Sequence, residues 1–227
     1  MPQKIQITTN DDIVLSANWV AAPTTLGAVI LLHMFPATKE SWAVFQGMLA
    51  KRGIASIALD LRGHGESTRT TVGQTLDYRK FEEMEHISSM EDVRAAYDWL
   101  VKRGIERDRI GVVGASIGAN IALRYLAENP QVPAALLLSP GLQYHGIGLE
   151  DVLEFVNPHQ AVQILVSKGD DDESVQASDR ILEALAVEVK GVKKLSNAGH
   201  GTRMFEGDAA LMGEAADWLR DRIQGAE

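Results

Sequence analysis

The residues Gly114-Ala115-Ser116-Ile117-Gly118 carry the sharpest chemical content in the sequence. They lie between an apolar run ending at Val113 and a helical pattern beginning near Ile117. A serine on so tight a strand-to-helix turn is forced into strained backbone angles, which small neighbours permit, and its hydroxyl is lifted above the sheet. It also stands at a helix N-terminus, where free amides and the positive end of the dipole favour developing negative charge. A glycine-rich helix start can instead pack closely on a strand or cradle a nucleotide phosphate. However, no Lys-Ser/Thr pair follows the glycines as a P-loop needs, and Gly-x-Gly-x-x-Gly is absent there. Ser116 is the expected nucleophile.

A serine hydroxyl needs a base, itself held by a third group. Among six histidines, His200 follows the last apolar strand pattern and has Gly199 and Gly201 beside it, so its loop can place an imidazole at the strand ends. His86 and His159 fall near helix starts, and His145 is a candidate pocket residue. An acid is expected between serine and base in chain order. Asp170, Asp171 and Asp172 stand there in a row; Asp172 is preferred because a helix with Val175 as its first apolar residue follows, with Asp171 and then Asp170 behind it. Acyl transfer also needs amide donors for an oxyanion. Ile117 supplies one, and His33-Met34-Phe35-Pro36 supplies the other, from Phe35 in preference to Met34. His33 reads as a structural residue bracing that loop. The base acts only when neutral, so activity is expected to fall on the acid side.

These loops require elements to hold them. Lys4 to Thr8 and Ile13 to Val20 flank the turn cluster Asn10-Asp11-Asp12 and read as a hairpin. Further strands are expected at 28–32, 54–59, 110–113, 134–138, 162–167 and 187–195. Helices are expected at 39–51, from a Ser88/Glu91 capping box to 102, and at 117–128, 175–186 and 208–223. The expected fold is α/β: a mostly parallel eight-stranded sheet with an antiparallel start, helices on both faces, and little or no cap. Ligands then bind at the carboxyl ends of the strands, where the four loops converge.

Composition narrows the chemistry. The 227 residues contain no cysteine, which removes disulfide scaffolds, thiolate metal sites and cysteine nucleophiles together. No cofactor or metal is called for. The 31 acidic residues against 22 basic ones leave a net charge of −9, a field that repels nucleic acid and anionic membranes. The opening residues lack a basic region followed by an apolar run, and no apolar run approaches the ~20 residues that span a bilayer. A single cytoplasmic domain over residues 1–227 is expected, with a small-molecule substrate; the oligomeric state stays open.

Together these features resemble the α/β-hydrolase family. Asp60-Leu61-Arg62-Gly63-His64-Gly65-Glu66-Ser67 looks like that family's Asp-x-Arg-Gly-His-Gly-x-Ser segment, and with the serine turn, the aspartate run and Gly199-His200-Gly201 the likeness covers residues 28 to 202. It implies Ser116 as nucleophile, His200 as base, Asp172 as orienting acid, and Phe35 with Ile117 as oxyanion donors. Met34 departs from the glycine usual in the first loop and becomes a candidate substrate contact. The two dozen residues between 138 and 162 leave no room for the family's helical cap. Residues 139–146 and 149–155 are expected to form a partial rim instead, with Tyr144 and Phe155 lining an acyl pocket. The implied activity is that of a carboxylesterase on small or extended soluble esters. A thioesterase or peptidase with the same triad is the alternative, and a non-catalytic binding protein the alternative from another class.

Overall fold

Four apolar runs that expose nothing to solvent form the centre of one mixed sheet in the computed structural model, which describes residues 2–224. Met1, read above with the chain's opening, and residues 225–227 of the expected domain lie outside the described residues. The chain begins with β1 (Gln3–Thr8) and β2 (Ile13–Val20), followed by β3 (Gly27–Leu32), α1 (Ala43–Ala50), β4 (Ile54–Leu59) and β5 (Arg69–Thr70). Next come α2 (Glu83–Ile87), α3 (Met90–Lys102), β6 (Ile110–Ala115), α4 (Ile117–Glu128) and β7 (Ala134–Leu138). A short hairpin, β8 (Gln143–Tyr144) and β9 (Ile147–Gly148), precedes β10 (Ala161–Lys168), α5 (Asp172–Ala184), β11 (Val189–Ser196) and α6 (Ala209–Ile223).

The main path of the sheet is β1-β2-β4-β3-β6-β7-β10-β11, with β5 pairing β2 off that path. Every residue of β3, β4, β6 and β7 is buried, as strands covered on both faces must be. The β1–β2 hairpin is antiparallel, β2 joins β4 antiparallel, and the pairs from β4 to β11 are parallel. Helices α3, α4 and α5 cover one face around Ile30, Val112 and Ile164; α1 and α6 cover the other around Leu31, Val113 and Leu136. The expected α/β architecture is therefore present. Between β7 and β10 the chain carries only the β8–β9 hairpin and a 3-10 turn at Leu153–Phe155, so no helical cap stands over the strand ends.

Several boundaries depart from the sequence reading. Ser88 does not cap α3: its hydroxyl donates to the Met84 carbonyl of α2, and the capping box belongs to Glu82 and Glu85 instead. Helix α5 starts at Asp172, three residues before the expected Val175. Gly53 and Gly104 do take the left-handed angles that close α1 and α3, at φ 78° and 87°. No helix among the described residues is long and apolar enough to cross a membrane.

The layer under α1 and α6 is knitted by aromatic rings, with Phe45 4.9 Å from Phe205 and 6.0 Å from Trp42 between ring centroids. Phe45→Ala empties a fully packed position and should lower the unfolding free energy by about 3–5 kcal/mol, read from urea denaturation.

Candidate active site

The turn between β6 and α4 places Ser116 at φ 54° and ψ −121°, a conformation side chains avoid and one that costs about 1–3 kcal/mol. Two glycines make it possible. A Cβ on Gly114 would lie 2.0 Å from the Gly118 carbonyl oxygen, and one on Gly118 would lie 2.5 Å from that of Leu32. Helix α4 thus approaches the end of β3 backbone to backbone, bringing the Ile117 amide, free in the first turn, beside the His33–Pro36 loop. The Ser116 amide is itself engaged, donating to the Leu138 carbonyl at 2.8 Å.

That neighbouring loop is held from both sides. His33, fully buried, accepts the Leu61 amide at Nε2 (3.1 Å), which leaves Nδ1 to donate to the Met34 carbonyl (2.9 Å). The bracing role read for it is what the geometry gives. The Phe35 ring packs against His64, Tyr78, His86 and His145, with centroids 4.2 to 5.5 Å away. The Met34 side chain turns toward the histidine loop, where a Cβ on Gly201 would meet its sulfur at 2.6 Å.

The Asp60–Ser67 segment acts as a staple. The Asp60 carboxylate accepts the Lys39 amide (2.9 Å), the Lys39 ammonium (2.6 Å) and the Glu66 amide (2.9 Å). Gly65, at φ 49°, would place a Cβ only 2.3 Å from that carboxylate. Arg62 pairs with buried Asp92 and with Asp11. These contacts tie the end of β4 to the chain just beyond the His33–Pro36 loop.

The three aspartates divide the work differently from the sequence reading. Asp172 is not the residue facing His200; as the first residue of α5 it turns back to accept the Gly169 amide at 2.9 Å. Asp171, the N-cap, faces the imidazole instead, with its Oδ2 3.0 Å from His200 Nδ1 and its side chain only 9 % exposed. The imidazole meets this oxygen off the ideal hydrogen-bond line. Burial pushes the Asp171 carboxyl up, but His200, Ser139 and Ser174 outweigh it and hold it below the usual carboxylate range. Asp170 accepts from the Ser167 hydroxyl and from the Gly199 amide (2.7 Å), so it fixes the histidine loop by its backbone.

Ser139, expected only as part of the rim at 139–146, instead holds the histidine loop, a contact the sequence reading missed. It stands at φ 51° directly after β7 and accepts the Gly201 amide at 3.0 Å. Its signal was a polar residue at the carboxyl end of an all-apolar strand. On the rim, the Tyr144 ring lies over Gly141, where a Cβ would meet its outer carbons at 2.8 Å. Phe155 does not line a pocket: its ring is 63 % exposed, because Leu149, Val152 and Leu153 take the inward positions. No group of three or more His, Cys, Asp or Glu residues among those described could hold a metal.

A strained serine at a strand-to-helix elbow, an imidazole and a carboxylate at the same strand ends, and this strand order define a class. A family model for the alpha/beta hydrolase fold matches residues 27–167, more than half of the chain, and the chain belongs to that family. It is similar to 2,6-dihydropseudooxynicotine hydrolase of Paenarthrobacter nicotinovorans, 32% identical over 112 residues, covering 48% of this chain and 27% of the relative. It is also similar to a bifunctional esterase/perhydrolase of Acinetobacter calcoaceticus, 27% identical over 130 residues, covering 57% of this chain and 41% of the relative. The chain spans less than half the length of these curated relatives. A solved esterase of Pyrococcus furiosus shares the fold with a TM-score of 0.78 at 18% identity, over 99% of this chain and 91% of that one.

Burial also sets an acid limit on the site. It pushes His33 down to about 4, and burial with His33 nearby pushes His64 down to about 3. Each imidazole takes a proton in the unfolded chain near pH 6.5 but resists it when folded. Their contribution to stability is complete above 6.5 and is lost as pH falls from there toward 4. His33 alone accounts for about 3 kcal/mol of that loss. Urea midpoints should fall across this window, and His33→Asn should make the fall shallower.

Proposed function

We propose that the protein is a serine hydrolase that cleaves small or extended soluble carboxylic esters through an acyl-enzyme on Ser116. The observation that carries this reading is the His200 imidazole held 3.0 Å from the buried Asp171 carboxylate, at the strand ends where the elbow presents Ser116. Ser116 Oγ attacks the ester carbonyl while His200 Nε2 takes its proton. The alcohol leaves with that proton, and water then repeats the sequence on the acyl-enzyme. Asp171 keeps Nδ1 protonated and so directs the lone pair of Nε2 at the serine. The Ile117 and Phe35 amides hold the oxyanion; removing one such donor typically costs about 3 kcal/mol of barrier. The esterase/perhydrolase relative supports ester substrates, and the open strand ends between β7 and β10 support ones that need no lid.

Esters, thioesters and amides of graded acyl length, assayed with wild type and Ser116→Ala, test the reading. Wild type should prefer esters and be labelled by a fluorophosphonate, while Ser116→Ala should lose at least about 10⁴-fold in kcat. Undiminished turnover by that variant, or a folded wild type that stays unlabelled, would sink the proposal; the second outcome favours a binding protein. The acid can be assigned in the same assay. Asp171→Asn should lower kcat by about 10⁴-fold, whereas Asp172→Asn should stay within about threefold of wild type.

A further inference from the structure

One cavity lies next to the serine elbow and Asp171 without taking part in the reaction steps above. It encloses about 260 Å³ between the β8 arm and α5, with Gly141, Leu142 and Tyr144 on one wall and Glu173, Gln176 and Arg180 on the other. Both walls begin at the site. Gly141 lies three residues beyond Leu138, whose carbonyl takes the Ser116 amide. The Gly141 amide is in turn accepted by Asn120, one turn beyond Ser116 on α4, at 3.1 Å. Asn120, wholly buried, also donates to the Ile147 carbonyl (2.9 Å), so the whole hairpin is mounted on the serine's own helix. On the other wall, Glu173 follows by two positions the Asp171 that meets His200.

The charges of this cavity are arranged along its length. Glu173, Gln176 and Arg180 are spaced by three and four, which puts them on one face of α5. Two turns separate the carboxylate from the guanidinium, a rise of roughly 10 Å. Among the described residues neither Glu173 nor Arg180 forms an ion pair, whereas the adjacent Asp179 is tied to Lys194. The cavity is therefore negative at the end next to Asp171 and positive at the far end, with Leu142 and the Tyr144 ring as apolar wall between.

We propose that this cavity is a substrate subsite that selects esters carrying a carboxylate remote from the scissile bond, with Arg180 as its anchor. This names a substrate class for the serine-hydrolase reading above and rests on it. A guanidinium fork matches a carboxylate through two parallel hydrogen bonds. A carboxylate on a short arm stops beside Glu173 and is repelled; one on a long arm passes it and reaches Arg180, its methylenes lying against the apolar wall. The net charge of −9 repels anions at long range, so the preference comes from contact inside the cavity and not from steering.

The test varies the length of the arm and the charge at its end. p-Nitrophenyl monoesters of adipic, suberic and sebacic acid place a carboxylate at increasing reach on the acyl side, and acetates of the matching ω-hydroxy acids place it on the alcohol side. Each is compared with its ω-carboxamide, which has nearly the same shape and no charge. The quantity read is the ratio of kcat/KM, carboxylate over carboxamide, for wild type, Arg180→Gln and Glu173→Gln; taken within one variant, it does not depend on how much of that variant is folded. Wild type should favour the carboxylate about fivefold on the long arms of one series and disfavour it on the adipate-length arm. Arg180→Gln should bring the long-arm ratio to about one and keep the short-arm penalty, while Glu173→Gln should lift that penalty and keep the long-arm preference. No carboxylate preference at any length in either series, or one that survives Arg180→Gln, overturns the subsite. Failure of the underlying reading looks different, because wild type then hydrolyses carboxylate and carboxamide esters no faster than a blank.

Discussion

Ser116 occupies a backbone conformation that an L-residue resists, and the architecture at the strand ends is organised around maintaining it. The strain is tolerated because the alternatives are closed off by contact. Gly114 and Gly118 let α4 come down onto β3 and β6 until carbonyl oxygens occupy the space of the missing side chains. The Ser116 amide is anchored to β7 through Leu138. Four all-buried strands supply the rigidity that a strained turn needs, since a frame that could yield would let the turn relax. One close backbone approach therefore lifts the hydroxyl, frees the Ile117 amide and sets the distance to the facing loop.

Polar contacts then transmit that placement outward. His33 binds the loop after β3 to the segment after β4, and the Asp60 carboxylate binds that segment to Lys39. On the opposite side, Ser139, Asp170 and Asp171 join the ends of β7 and β10 to the histidine loop after β11. Each buried charge in these links has several donors or an ionic partner, as burial demands. The aspartate run that resembles a solvated acidic stretch is three separate clasps, of which one touches the imidazole.

What could be read from the sequence follows from the range of the interactions involved. The span of α4, 117–128, and that of β7, 134–138, were legible because apolar periodicity and the Asn129-Pro130 stop are local signals. The placement of Ser116 and His200 at the strand ends was legible because glycines mark loops with unusual backbone angles. The choice among three adjacent aspartates was not, since it turns on where α5 begins: a start at Val175 would leave Asp172 in the loop, whereas a start at Asp172 hands the outward position to Asp171. Ser139 and Asn120 escaped for a related reason. Their roles consist of contacts with residues dozens of positions away, and a lone polar side chain in an apolar context does not announce its partner. Phe155 misled because aromatic residues near a site suggest a lining, while the burial of Val152 and Leu153 had already filled the inward face.

The sheet's far edge has a bearing on how the molecule meets its own copies. Strand β11 pairs with β10 on one side and ends the path on the other, and it carries Lys190, Lys193 and Lys194. Lys193 and Lys194 reach Glu214 and Asp179 on the flanking helices, while Lys190 donates to the Leu182 and Leu185 carbonyls. A foreign strand laid along β11 would have to strip water from this row of ammonium groups or pull them from their acceptors. The sheet is thus finished electrostatically where it is unfinished in hydrogen bonds, which guards a long parallel sheet against growing by edge addition.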